Sequence, residues 1–245
     1  MSEGDSSDAV SFGVSFGVPE GVRRVFARTS GATRVVLVRH GEAVCNVDGV
    51  VGGIRGCKGL TDRGRRQVTA LAESLSASGE LRGAGALYAS TLPRAIETAE
   101  LLLPALGEGT RTVAERENLS ELHPGDADAM TWQEVIDTFG VPEWDLHPEH
   151  QIAPGGESWT GFVARAGEAV RSLAEQHRGE LVVAAVHAGV IEATLIHFLD
   201  IPPARSRRGF VRVQHASLTE WEWLPERMQW VLVRFNDAHG VPETP

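Results

Sequence analysis

Two histidines and two arginines occupy positions from which a phosphate group could be bound and attacked. Arg39 and His40 directly follow a β-branched run, and His187 directly follows the strongest candidate strand of the chain. Arg94 comes shortly after another short candidate strand that ends near Ser90. A guanidinium pairs with two phosphate oxygens at once, and a neutral imidazole nitrogen can attack phosphorus and form a covalent intermediate. These residue types indicate phosphoryl transfer in which cationic side chains, and no metal ion, stabilise the transition state.

The pairing of the histidines gives this interpretation its strength. A lone histidine is more often an ordinary core or surface residue than a reacting group. Here His40 is followed by Gly41, and His187 is followed by Gly189 after one intervening residue, each at the end of an apolar run. Two imidazoles at equivalent strand ends, together with two arginines, favour a functional site, and the neighbouring cations would keep the imidazoles neutral.

The elements that must position these residues alternate between strand and helix. Strands are predicted over 35–38, 85–89 and 181–186. Helices are predicted to begin after the caps Thr61 and Ser158, at Pro93, and after His187. A final antiparallel pair is predicted over 218–223 and 230–235. The fold class is therefore α/β, a doubly wound three-layer α/β/α sandwich with a mostly parallel central sheet. Ligands of such sheets bind outside the carboxyl ends of the strands, where the histidines lie.

Composition narrows the function classes. The chain has 245 residues, 42% hydrophobic and 23% charged, with a formal net charge of -10. This charge argues against a nucleic-acid partner, and no apolar run approaches the ~20 residues that span a membrane. The acidic start lacks the basic region of a secretory signal, and two cysteines are too few for a disulfide framework. We therefore expect a cytoplasmic protein without nucleic-acid or membrane partners.

Several motifs resemble those of the histidine phosphatase superfamily, the phosphoglycerate mutase-like proteins. The run 37–42, LVRHGE, is similar to the family's RHG signature, and 90–98, STLPRAIET, is similar to its S-x-x-x-R-A-x-x-T pattern. The resemblance covers about 34–235. It implies that His40 is the phosphorylated nucleophile and that Arg39, Asn46 and Arg94 bind the phosphate.

The same resemblance assigns two further residues. His187 matches the second family histidine, and the resemblance implies that this residue binds the phosphate and takes part in catalysis. Glu121, in Leu119-Ser120-Glu121-Leu122, matches the proton donor, although Glu115 and Glu117 lie close enough to be alternatives. The sequence departs from the family pattern at two positions. Many members have Ser or Thr at the position of Ala43 and Gly at the position of Ala188, but neither change removes a reacting group.

Composition along the chain and the resemblance together predict a domain organisation and an activity. We expect a mobile N-terminal extension over 1–33 and one histidine phosphatase-like catalytic domain over 34–245, with an irregular lid region at about 121–157. The expected activity is hydrolysis of a small phosphorylated metabolite without cofactor or metal. The acidic run after Glu121 and the Pro-Gly-Gly-Glu-Ser sequence at 154–158 favour the phosphatase branch. A phosphoglycerate mutase-type phosphotransferase and a non-catalytic phospholigand-binding protein are the alternatives, and a homodimer is left open.

Two competing motifs are weaker. The sequence from Cys57 to Arg63 matches the C-x5-R loop of cysteine-dependent phosphatases, but a glycine-rich stretch precedes it where that loop requires a buried strand. Metal binding is suggested by the pair Glu42 and Asp48 and by the run 147–150, HPEH. Pro148 interrupts any helix in that run, so a surface loop is the favoured interpretation.

Overall fold

The structure is a computed structural model that describes residues 31–109 and 112–238. The predicted mobile extension, 1–33, lies outside the described residues except for its last three. The described residues from Gly31 onward belong to one compact unit. Its first strand begins at Thr33, one residue before the predicted start of the domain.

A six-stranded sheet forms the centre of this unit, with strand order β3-β2-β4-β1-β5-β6. The strands are β1 (Thr33–Arg39), β2 (Ala86–Ala89), β3 (Val113–Glu115), β4 (Leu181–Val186), β5 (Leu218–Leu224) and β6 (Gln229–Asp237). The pairs β3–β2, β2–β4 and β4–β1 are parallel. Strand β5 pairs antiparallel with β1 and with β6, as the sequence predicts for the last two strands.

Helices connect the strands and begin where the predicted caps stand. They are α1 (Val44–Asp48), α2 (Asp62–Ser78), α3 (Pro93–Leu106), α4 (Trp132–Phe139), α5 (Trp159–Gln176), α6 (Ala188–Phe198) and α7 (Pro203–Ser206). The Thr61 hydroxyl accepts a hydrogen bond from the Gly64 N–H, and the Ser158 hydroxyl accepts one from the Gly161 N–H. Each cap satisfies one of the backbone donors that the first turn of a helix leaves unpaired.

Two apolar cores hold helices against both faces of the sheet. Val36 and Val38 of β1 belong to the core that contains α2 and α3. Val35 and Leu37, which point the other way, belong to the core that contains α5 and α6. Because successive side chains of a strand alternate between faces, a continuously apolar strand supplies both cores. The structure confirms the predicted three-layer α/β/α sandwich with a mostly parallel sheet.

Some elements differ from the sequence prediction. Helix α1 and strand β3 were not predicted, because five and three residues are too short to display a period. The region 121–157, predicted as irregular, contains helix α4, which Thr131 and Glu134 start with a reciprocal capping box. Among the described residues, no helix is both long and apolar enough to pass through a lipid bilayer.

Candidate active site

Three strands bring the candidate residues to one edge of the sheet. His40 follows β1, Ser90 follows β2 and His187 follows β4. The His40 N–H donates to the Val186 carbonyl at 3.0 Å, and the Ser90 N–H donates to the Ala185 carbonyl at 3.1 Å. These bonds extend the ladders by one residue past the strand ends, and so they fix the backbone that carries the two imidazoles.

His40 is held in the tautomer that a nucleophile requires. Its side chain is buried, and its Nδ1 lies 2.7 Å from the Gly41 carbonyl oxygen, which can only accept. Nδ1 therefore carries the proton, and Nε2, which receives a hydrogen bond from Arg94 Nε at 3.1 Å, carries the lone pair. Burial and the positive charge of Arg94 lower the pKa of His40 well below its usual value. The imidazole is thus neutral with Nε2 available.

Gly41 allows the loop after β1 to lie against helix α2. A Cβ at this position would be 2.5 Å from the Gly64 carbonyl oxygen and 2.9 Å from a methyl group of Val68. The Gly41 N–H donates to the Thr98 hydroxyl at 3.2 Å, and that hydroxyl donates to the Arg94 carbonyl at 2.7 Å. Helix α3, which carries Arg94, is thereby connected to the residue after His40.

His187 is completely buried beside His40, with ring centroids 5.2 Å apart. Its Nε2 lies 2.6 Å from the Ser90 hydroxyl, which itself accepts the Leu92 N–H at 3.2 Å. Burial, with Arg94 and Arg39 adding to it, lowers the pKa of His187 well below its usual value. The Ser90 hydroxyl can donate to Nε2 or accept from it, and the other ring nitrogen, the buried Nδ1, has no hydrogen-bond partner.

Two arginines place positive charge around the histidines. Arg39 donates from Nη1 to the Val213 carbonyl, and Arg94 donates from Nη1 to the Gly52 carbonyl at 2.7 Å. Burial is the main cause that lowers the pKa of Arg39 to about 10, with Glu121 raising it and Arg94 lowering it. Both guanidinium orientations are thus fixed by backbone oxygens, and Arg39 remains charged at neutral pH.

Asn46 is oriented by a residue that the sequence analysis did not identify, His215. The Asn46 side-chain oxygen accepts the Ala43 N–H at 3.1 Å and lies 3.1 Å from His215 Nε2. Since two donors take the amide oxygen, the amide NH₂ group remains for a ligand. Burial, with Arg39 and Arg63 contributing, lowers the pKa of His215 to about 3, so its ring is neutral.

The backbone at the start of helix α6 holds the Glu121 carboxylate in place. One carboxylate oxygen accepts the Gly189 N–H at 3.0 Å, and the other accepts the Leu122 N–H at 3.1 Å. Of the two alternative carboxylates, Glu115 is exposed, and Glu117 is exposed and lies 3.0 Å from His123. The geometry therefore favours Glu121 as the carboxylate of this site.

Arg165 on α5 holds the segment that carries Glu121. It makes five hydrogen bonds: two to the Glu157 carboxylate, two to the Asn118 and Ser120 carbonyls, and one to the Glu121 carbonyl. Burial opposes ionisation of Glu157, but the hydrogen bonds from Arg165 and from the His123 N–H, together with the positive charge of Arg165, lower the pKa of Glu157. Arg165 thus binds the protein chain, and it is not left to bind a ligand.

One cavity of about 570 Å³ collects these side chains. Arg39, His40, Asn46, Arg94 and Glu121 line it, whereas His187 lies behind the lining, against His40. The rest of the wall is mostly apolar and aromatic and includes Leu122, Pro124, Trp132, Val141, Pro142, Trp144, Ile152, Trp159 and Phe162. The structure therefore brings together all six residues that the sequence analysis selected.

Arg207 also lines this cavity, and the sequence analysis missed it. The sequence analysis considered only the acidic run after Glu121, whereas Arg207 enters from beyond α6. The signal was available, because 205–208, RSRR, is a basic cluster in an acidic chain. The cavity thus contains this cation in addition to Arg39 and Arg94.

The competing motifs lie elsewhere. Cys57 is buried in the loop between α1 and α2, not at the end of a strand, and Arg63 pairs with Glu42 at 3.1 Å. His147, Glu149 and His150 form an exposed group whose ligand atoms lie within 4.8 Å of one another, and none of them lines the cavity. Neither motif contributes to the site around His40.

Comparisons with known proteins agree with this arrangement. A family model described as the histidine phosphatase superfamily (branch 1) matches residues 35–238. A metal-independent phosphoserine phosphatase of Arabidopsis thaliana is 31% identical over 201 residues, which cover 78% of this chain and 80% of that protein.

Two solved structures share the fold. The Bacillus stearothermophilus protein YhfR superposes with a TM-score of 0.73 at 28% identity, over 86% of this chain and 100% of that one. A mycobacterial glucosyl-3-phosphoglycerate phosphatase superposes with a TM-score of 0.69 at 26% identity, over 83% and 99% of the two chains.

Proposed function

The chain belongs to the histidine phosphatase superfamily (branch 1), and on this basis we propose that it is a metal-independent phosphomonoesterase that forms a phosphohistidine on His40. The observation that carries the proposal is the state of the His40 ring. Nδ1 is committed to the Gly41 carbonyl, and Nε2 lies at the cavity with its lone pair toward Arg94 Nε, a donor that an incoming phosphate would take over.

The first half-reaction transfers the phosphoryl group to the enzyme. His40 Nε2 attacks phosphorus, a P–N bond forms, and the bond between phosphorus and the ester oxygen breaks. Arg39, Arg94 and the Asn46 amide donate to the phosphoryl oxygens, whose negative charge they stabilise in the transition state. Glu121, in its acid form, transfers its proton to the departing alkoxide, so an alcohol leaves.

The second half-reaction restores the enzyme. The Glu121 carboxylate takes a proton from a water molecule as that water attacks the phosphorus, and the P–N bond breaks with its electron pair returning to Nε2. Inorganic phosphate and the acid form of Glu121 result. The same carboxyl thus acts first as acid and then as base, and a typical contribution of such a group is ~10²–10⁴-fold in rate.

The Arabidopsis thaliana relative described as a metal-independent phosphoserine phosphatase supports hydrolysis without a metal. The site supplies the reason, because two guanidinium groups already neutralise the phosphate. We therefore assign no catalytic role to the exposed group at His147, Glu149 and His150.

Trapping the phosphoenzyme tests the proposal. Rapid quenching during turnover of a phosphate ester should yield protein carrying an acid-labile, base-stable phosphate on His40. His40→Ala should abolish both the label and turnover, whereas His147→Ala, in the exposed group, should retain both. Full activity of His40→Ala, or a label on Cys57, would overturn the mechanism.

Partition of the phosphoenzyme separates hydrolysis from the mutase alternative. A mutase must pass the phosphoryl group to a second hydroxyl and exclude water, whereas a phosphatase passes it to water. We expect 3-phosphoglycerate with catalytic 2,3-bisphosphoglycerate to give free phosphate faster than 2-phosphoglycerate. The opposite ratio would replace the phosphatase assignment with the mutase one.

A further inference from the structure

The half of the cavity beyond Arg39, His40 and Arg94, which would receive the leaving group, includes two indole rings whose N–H groups are already occupied. Trp144 and Trp159 stack with ring centroids 5.6 Å apart and planes 23° apart. The Trp144 indole N–H donates to the His150 carbonyl at 2.8 Å, and that of Trp159 donates to the Ser206 hydroxyl at 3.0 Å. Trp159 is buried against Trp144 and Arg207, so the partly exposed ring of Trp144 is the indole surface that this pair offers to a ligand.

The charged groups in this half are few and already paired. Among the described residues that line the cavity beyond the phosphate end, Glu121 and Arg207 are the charged ones. Arg207 lies over the Trp159 ring at 4.7 Å and 3.6 Å from the Glu192 carboxylate. Arg165 donates all its described hydrogen bonds to the chain. A leaving group rich in hydroxyl, ammonium or carboxylate groups would therefore find few partners here.

Burying a leaving group whose polar groups find no partner weakens binding, whereas burying an apolar ring strengthens it. The volume of about 570 Å³ lies in the range of cavities, ~300–1,000 Å³, that enclose ligands larger than a phosphate. We propose that this enzyme prefers phosphomonoesters of apolar, ring-bearing alcohols over those of hydrophilic alcohols such as serine, glycerate or sugars. The proposal rests on the phosphatase function proposed above and specifies its substrate class.

A matched pair of esters tests the preference. Ethyl phosphate and 2-phenylethyl phosphate have leaving alcohols of similar basicity, so a difference in kcat/KM reports contacts with the ring and not leaving-group chemistry. We expect 2-phenylethyl phosphate to be preferred by roughly 10- to 100-fold, which corresponds to burying a phenyl-sized group. O-Phosphoserine and 3-phosphoglycerate should fall at or below the rate of ethyl phosphate.

Variants locate the preference in the aromatic wall. Trp144→Ala should reduce the ratio between the two esters to less than about 5-fold, since one side of the ring's binding surface is lost. Trp144→Leu should retain part of the ratio, and Leu146→Ala, an exposed residue of the same segment that does not line the cavity, should retain all of it. Unchanged inhibition by inorganic phosphate in Trp144→Ala would show that the fold and the phosphate end are intact.

The outcomes distinguish this inference from the proposed function. If no ester is hydrolysed in a His40-dependent way, the phosphatase function fails and this inference fails with it. If esters are hydrolysed but phosphoserine or 3-phosphoglycerate exceeds 2-phenylethyl phosphate, the function stands and the substrate class is wrong. An equal loss on every substrate in Trp144→Ala, with phosphate inhibition preserved, would also overturn the inference.

Discussion

Replacing Arg94 should change both the rate and the pH dependence of the reaction, because this residue has two separable roles. Its charge opposes protonation of His40, and its guanidinium geometry connects His40 Nε2 at 3.1 Å with the Gly52 carbonyl at 2.7 Å. Arg94→Lys keeps the charge and loses the planar fork, whereas Arg94→Gln keeps an N–H donor and loses the charge. The two variants therefore separate geometry from charge.

The expected losses follow from the contacts. Removing one preorganised donor from a developing anion typically costs ~10²–10³-fold in kcat, or ~2.7–4 kcal/mol. We expect about 10²-fold for Arg94→Lys, and about 10³-fold or more for Arg94→Gln, which also lacks the positive charge. A protonated imidazole has no lone pair at Nε2. Since the cation lowers the pKa of His40, its loss raises that pKa, and the acid limb of the Arg94→Gln profile moves to higher pH.

The assay is kcat/KM for p-nitrophenyl phosphate between about pH 4.5 and about pH 8, with thermal unfolding measured for each variant. Arg65→Gln is the matched control, because Arg65 is a partly exposed arginine that pairs with Glu97 on α3 at 2.9 Å and does not line the cavity. Its rate should stay within about 2-fold of wild type. An acid limb that does not move in Arg94→Gln, or a loss below about 10-fold, would refute this account of Arg94.

Three further predictions concern Glu121, His215 and metals. Glu121→Gln should slow 2-phenylethyl phosphate by ~10²–10⁴-fold and p-nitrophenyl phosphate far less, because p-nitrophenolate leaves without a proton; equal losses would count against the role of Glu121. The pKa of His215 is about 3 when folded and near 6.5 when unfolded, so the unfolded chain takes up its proton first as pH falls. Below about pH 6.5, this residue should lower the free energy of unfolding by up to ~1.4 kcal/mol per pH unit. Urea unfolding at several pH values should show a smaller dependence of that free energy on pH for His215→Asn than for the wild type. Identical dependences would contradict the prediction. Prolonged EDTA treatment should leave the rate unchanged, and a loss that zinc or magnesium restores would show that metal independence is wrong.

The strand ends were predictable because they follow from local patterns. Apolar runs that stop at His40 and at His187 predict strands, and parallel strands present their carboxyl ends at one edge of a sheet. The family model and the relatives confirm the resemblance read from the RHG motif. The order of the sheet, in which β4 lies between β1 and β2, places the two histidines side by side without any contact between them being visible in the sequence.

The residues that sequence reasoning missed act across long distances along the chain. His215 contacts Asn46 across 169 positions, and no local period indicates such a contact. Arg207 and Trp144 reach the cavity from a short turn and a loop, where neither spacing nor capping predicts direction. The sequence shows a basic cluster around Arg207 and a tryptophan in a proline-rich segment. Whether these side chains line the cavity, however, depends on how α5 and α6 pack.

The hydrogen bonds of Arg165 have a consequence for how proteins of this kind diverge. They attach the backbone of Glu121 to helix α5, so the carboxyl that we propose as the acid is held by the helical framework of the domain. The wall residues between Asp126 and Ile152 belong to loops and to the short helix α4, and the side chains of Trp132 and Val141 among them are exposed. Substitutions there can alter which alcohol is accepted while the distance between nucleophile and acid is preserved. One reaction can in this way be inherited unchanged while its substrates are exchanged.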